Sequence, residues 1–165
     1  MHCLVWLDEI NKPKTPQDID SIISAELPSL ENEPEIHYLI SKFMIHGPCG
    51  TINSLSPCMK NNKCSKYYPK KYISETYIDS NGFAIYRRRN NGEYMLKNNL
   101  KIDNRFVVPH NKDLIYKYEG HICVEYCCRT TMIKYLFKYI SKGTDKIRAV
   151  IHNYQKKIQL NPIII

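Results

Sequence analysis

Two tyrosines and one cluster of soft metal ligands are the side chains here whose types and spacing could do chemistry. In the segment from Lys134 to Gly143, Tyr135 and Tyr139 stand one helical turn apart. At the angular step of a helix, Ile133, Leu136, Phe137 and Ile140 gather on one stripe, Lys134, Lys138 and Lys142 on a second, and the two tyrosines on a third. Phenols off the apolar stripe and beside ammonium groups suit attack on a phosphate. A phenol of pKa about 10 is a weak nucleophile at neutral pH, and nearby lysines favour its anion. The plainer reading of the same pattern is an amphipathic surface helix.

The second constellation is His46-x-x-Cys49-x8-Cys58-x5-Cys64, four ligands within nineteen positions. Thiolate and imidazole are the donors that zinc takes tetrahedrally in structural sites. Gly47, Pro48, Gly50 and Pro57 beside them are residues that tight ligand loops use, although the spacing is not that of a standard finger. Lys60, Lys63, Lys66, Lys70 and Lys71 surround the motif, so a metal-pinned basic knuckle could lie against phosphate. The run Arg87-Arg88-Arg89 offers three guanidinium groups that can clamp phosphates. His121 and Glu125 share one face if their segment is a strand, and His2 opens the first apolar run. Neither glycine loop, at residues 46–51 or 141–144, has the spacing that cradles a nucleotide triphosphate.

The elements that must position these groups follow from pattern and punctuation. Residues 2–7 read as a buried strand. Thr15-Pro16 starts a helix carrying Ile19, Ile22 and Ile23, which Pro28 ends. Pro34 opens a second helix in which Ile36, Leu39, Ile40 and Phe43 form the inward stripe. Residues 46–71 are expected to be an irregular loop, and 76–89 a hairpin turning at Asp79-Ser80-Asn81-Gly82. The stretch to residue 104 is polar and turn-rich. Phe106 to Val108, Leu114 to Tyr118 and His121 to Cys127 read as strands, and the tyrosine helix follows with Gly143 at its end. The expected fold class is α+β.

The composition sets the class of partner. A net charge of +8 over 165 residues and a pI near 9.1 favour nucleic acid over membrane. Thirteen tyrosines against one tryptophan interleave with lysine, as suits bases and phosphates. No run is long and apolar enough to be a membrane span, and no basic-then-apolar leader is evident. Seven cysteines in an intracellular setting are expected as thiols or metal ligands. The abrupt apolar ends suggest a fragment.

From end to end the chain resembles the helicase-like N-terminal region of Helitron transposon proteins, whose Rep part is an HUH endonuclease. The matching segments are residues 2–7, Ser24 to Pro28, Phe43 to Gly50, Pro57 to Lys60 and Cys64 to Lys70. Asn81 to Arg89, Asp103 to Pro109, His121 to Glu125 and Lys134 to Gly143 complete them. The resemblance implies a partial HUH-like antiparallel sheet with flanking helices and the Cys/His-rich loop inserted. It divides the chain into a domain over 1–145, with a zinc knuckle at 46–71, and a tail over 146–165. It further implies a nuclear enzyme that nicks and rejoins single-stranded DNA at transposon ends through a phosphotyrosine link.

Magnesium or manganese would be held by two histidines flanking one apolar residue. By position His2 is the second histidine, Met1 the middle residue, and the first would precede Met1. His121 and Glu125 are further candidates for that metal. Tyr135 and Tyr139 match the paired tyrosine nucleophiles, with Lys138 and Lys142 beside them. Arg87, Arg88, Arg89, Lys66, Lys70 and Lys134 are the expected DNA contacts. A chain without the first histidine is expected to be inactive by itself, and the family's helicase motor would lie beyond Ile165. The alternative is a non-catalytic, basic nucleic-acid-binding module or a degenerate transposon remnant.

Overall fold

The computed structural model describes residues 3–127 together with the strand at 162–164. The tyrosine helix, with Lys134, Lys138 and Lys142, lies outside the described residues, as do Met1 and His2. What is described is a mixed α/β arrangement: three short α-helices, a 3-10 turn and four two-stranded antiparallel sheets.

The first strand, β1 (Leu4–Trp6), pairs antiparallel with Pro162–Ile164 at the far end of the chain. It was expected to be buried, yet Leu4 and Val5 are only half-covered and Trp6 is 41% exposed. Among the described residues β1 has one partner strand, on one edge, and its side chains stay partly open, so apolar composition alone does not make this run a core strand.

Helix α1 (Pro16–Ile22) starts where the sequence predicts. The Thr15 hydroxyl accepts from the Asp18 N–H, and the Asp18 carboxylate accepts from the Thr15 N–H, a reciprocal capping box with proline in the first turn. Helix α2 (Pro34–Phe43) likewise opens on its proline and buries Leu39 and Ile40. It packs against α3 (Lys112–Tyr118) through a cluster made by Leu27, Leu39, Ile40, Met44, Val107, Val108 and Ile115.

The structure corrects the strand expected at Leu114 to Tyr118. The Asn111 side chain accepts from the Leu114 N–H and starts a helix, which Glu119 closes in the left-handed conformation. Phe106 belongs to a 3-10 turn (Asn104–Phe106) rather than a strand, and Val107 forms an isolated bridge with Ile45. Residues 121–127 form no strand of their own. They run extended with single contacts, Phe83 bridging Cys127 and the Val124 N–H donating to the Pro109 carbonyl.

Three tight hairpins complete the described fold. The expected hairpin over 76–89 is present as β4 (Tyr77–Ile78) and β5 (Ala84–Ile85), with Tyr77 opposite Ile85. The stretch expected to be merely polar and turn-rich instead holds β6 (Tyr94–Lys97) and β7 (Leu100–Asp103), joined by Asn98-Asn99. Inside the loop at 46–71, β2 (Met59–Lys60) and β3 (Lys63–Cys64) are joined by Asn61-Asn62. Both Asn-Asn pairs have positive φ at both positions, as a two-residue mirror-image turn requires.

Candidate metal centre and the cavity beside it

The ligand loop is held from below by its own small core. Ile102 of β7 and Phe106 pack against Cys49 and Cys64, all four almost fully buried, with Cys58, Met59 and Met95 around them. The segment before the first ligand runs antiparallel to 106–108. The His46 N–H donates to the Phe106 carbonyl at 2.9 Å, and the Val108 N–H donates to the Met44 carbonyl at 2.7 Å. Gly47 turns the chain at φ +94°, where a Cβ would come within 2.8 Å of the Cys49 nitrogen, so only glycine brings His46 and Cys49 to the same side.

The β2–β3 hairpin explains the second spacing. Met59 pairs with Cys64 across the ladder, and the Ser65 N–H donates to the Cys58 carbonyl at 2.8 Å, so Cys58 and Cys64 meet at the open end of the hairpin.

The four side chains converge. One donor atom from each of His46, Cys49, Cys58 and Cys64 lies within 4.8 Å of all the others, and His46 Nε2 is 3.3 Å from Cys64 Sγ. Three sulfurs and one imidazole at such separations can hold a metal ion, and this is the group of that kind found among the described residues. The surroundings suit it. The Lys66 N–H points at Cys64 Sγ at 3.4 Å, and the Ser56 hydroxyl lies 3.4 Å from Cys58 Sγ. The His46 ring stacks on Tyr68 with centroids 4.2 Å apart, which fixes its plane.

Charge is arranged around the same point. Burial, then the ammonium groups of Lys70, Lys66 and Lys97, hold His46 below its ordinary pKa, so its ring is a neutral donor. Burial, with the neighbouring Cys58 and Cys64 thiols, pushes Cys49 up to about 12. Burial also raises Cys64, but hydrogen bonds from the Tyr68 and Lys66 backbones and from the other thiols outweigh it and leave that thiol below its usual value. A divalent cation is the partner that makes all three thiolates favourable at once.

Beside this centre opens a cavity of about 880 Å³. One wall is the ligand loop, with His46, Lys66, Tyr68, Lys70 and Lys71. The β4–β5 hairpin contributes Tyr77, Ala84 and Ile85 to the lining, and the segment after α3 contributes His121, Cys123 and Glu125. The His121 ring is oriented by the Phe43 carbonyl, 2.7 Å from Nδ1. His121 and Glu125 both line this cavity, although the strand expected to carry them is absent, and among the described residues they gather no third donor into a metal group.

The arginine run does not form the expected clamp. Arg88 is 4% exposed, and its Nη1 donates to the carbonyls of Ala25, Asn104 and Val107 at 3.1, 2.7 and 2.6 Å. Arg89 makes a forked pair with Glu26, at 3.0 and 2.7 Å, and Arg87 lies against Asp20 and Glu26. Alternation along this stretch turns Arg88 inward and its neighbours outward onto acids. Arg88 ties segments together rather than reaching solvent. Sequence reasoning also missed Asn104. Its side-chain oxygen accepts from the Leu27 N–H at 2.7 Å, and its amide donates to the Arg89 carbonyl at 2.8 Å. Nothing in its local pattern marks a residue that bridges distant segments.

No protein-family model matches the chain, and no curated protein matches it in sequence. No helix among the described residues is long and apolar enough to cross a membrane.

Proposed function

We propose that the chain is part of a Helitron-type rolling-circle transposase, and that its described portion is a zinc-pinned basic platform for single-stranded DNA. The observation that carries this reading is the convergence of His46, Cys49, Cys58 and Cys64. These residues are scattered over three of the matching segments and meet within bonding reach of one ion. Zinc is the metal of choice because three thiolates with one imidazole is a closed structural donor set.

In the nicking reaction, a tyrosine oxygen, from Tyr135 or Tyr139, forms the new bond to phosphorus. The bond from phosphorus to the 3′ oxygen breaks, and that oxygen leaves with the proton as a hydroxyl. A bound magnesium or manganese ion would polarise the scissile phosphate. His121 and Glu125 do not by themselves build that ion's site among the described residues, so its binding turns on His2 and on the histidine expected before Met1. The nucleus is the compartment this function requires.

The test is direct. The protein, extended upstream through that histidine, is incubated with single-stranded DNA and manganese. A covalent protein–DNA adduct is expected, and Tyr135→Phe or Tyr139→Phe should remove it. No adduct from the extended native sequence would sink the cleavage mechanism. That result would favour the second reading, a nucleic-acid-binding module without cleavage, which the isolated His121–Glu125 pair favours.

A further inference from the structure

We propose that the cavity beside the metal centre is the subsite for the phosphodiester backbone of single-stranded DNA, with a wall carried by the metal-bound loop. The inference rests on the DNA-binding reading above and says where on the chain that binding occurs. The lining is strongly one-signed. Lys66, Lys70 and Lys71 line it against the single carboxylate of Glu125, while Arg88, which also borders it, is held on backbone carbonyls. Such a concave, cationic site concentrates polyanions more than a flat basic face does.

An open ring stands beside the charges: Tyr77 is 49% exposed on the hairpin wall, whereas Tyr68 is stacked on His46 and has Lys70 Nζ 4.9 Å from its ring centre. Phosphate at the ammonium groups and bases on tyrosine rings is the pairing by which proteins hold single strands. A flexible single strand can bend to follow a recess of this volume.

The metal centre enters through geometry. Lys66, Tyr68, Lys70 and Lys71 all follow Cys64 within seven residues, and the His46 ligand ring is stacked on Tyr68. Fixing the four ligands therefore fixes the wall.

The experiment measures fluorescence anisotropy of a labelled short oligothymidylate with the zinc-loaded chain across a salt series. Lys70→Gln and Lys71→Gln are each expected to weaken binding about fivefold and to flatten the salt slope by about 0.7 per lost contact. Lys117→Gln, exposed on α3 and outside the cavity, should leave both unchanged. Thermal melting of each variant reports its folding. Binding that survives in all three variants, or that falls as much with Lys117→Gln, removes the cavity as the subsite and leaves the DNA-binding reading standing. No binding by the native chain at low salt overturns both. Tighter binding of an oligouridylate would assign the recess to RNA and overturn the proposal as stated.

Discussion

The ligand cysteines and Arg88 show how differently two buried polar groups can be satisfied. Cys49, Cys58 and Cys64 converge on a point that a cation can occupy, and under the zinc reading each donor contributes binding energy that would hold the loop. Cys58→Ser is expected to lose stoichiometric zinc by elemental analysis and to lower the melting temperature. Unchanged zinc content would show that Cys58 is not a ligand. Arg88 spends one nitrogen on three backbone carbonyls. Arg88→Met keeps the bulk of the side chain but leaves the Ala25 and Val107 carbonyls without this donor, and should cost about 2–6 kcal/mol in chemical denaturation. A loss below about 1 kcal/mol would mean that water replaces the guanidinium.

At the scale of elements, two of the three described α-helices are legible in the sequence and the short hairpins only partly so. Thr15-Pro16 with Asp18 is a complete local signal, and it produced the capping box found at α1. Thr15→Ala should destabilise by about 1 kcal/mol, read from the denaturation midpoint. The helix at Lys112–Tyr118 has the composition of a strand, with Leu114, Ile115, Tyr116 and Tyr118. Its cap, Asn111, was the signal that outweighed them.

The hairpins at 59–64 and 94–103 were missed for a related reason. Their turns are Asn-Asn, which enters the left-handed region less readily than Asn-Gly. Asn99→Gly should therefore stabilise the β6–β7 hairpin by about 0.5 kcal/mol, and a loss of stability would show that the Asn99 side chain has a role of its own. The inward turn of Arg88 and the bridging by Asn104 were not legible at all. Both depend on partners many residues away, and no local window contains them.

For the whole molecule the clearest lever is pH. His110 is fully buried, its Nδ1 donating to the Val108 carbonyl at 2.9 Å and its Nε2 without a partner. Burial is the main cause that brings its pKa down to about 4, opposed by the Val108 hydrogen bond and assisted by the charges of Lys112 and Arg88. The unfolded chain binds a proton near pH 6.5 and the folded one only near 4. Its contribution is thus fully present above about 6.5 and is lost as pH falls through that window, by about 3 kcal/mol at most. Glu26, held below its ordinary value despite its burial by Arg89 and Arg87, loses its contribution only lower down. His110→Phe should flatten the slope of stability between pH 6.5 and 4.5. A slope left unchanged would place the titration elsewhere.

The bond from the Leu27 N–H to the Asn104 side chain spans 77 positions of sequence. On a ribosome adding about 5–20 residues per second, Leu27 is incorporated roughly 4–15 s before its partner. Through that interval the carbonyl of Ala25 also waits for Arg88, and the apolar face of α1 waits for Tyr86 and Val124. The tie between these segments can therefore close only after residue 104 has been made.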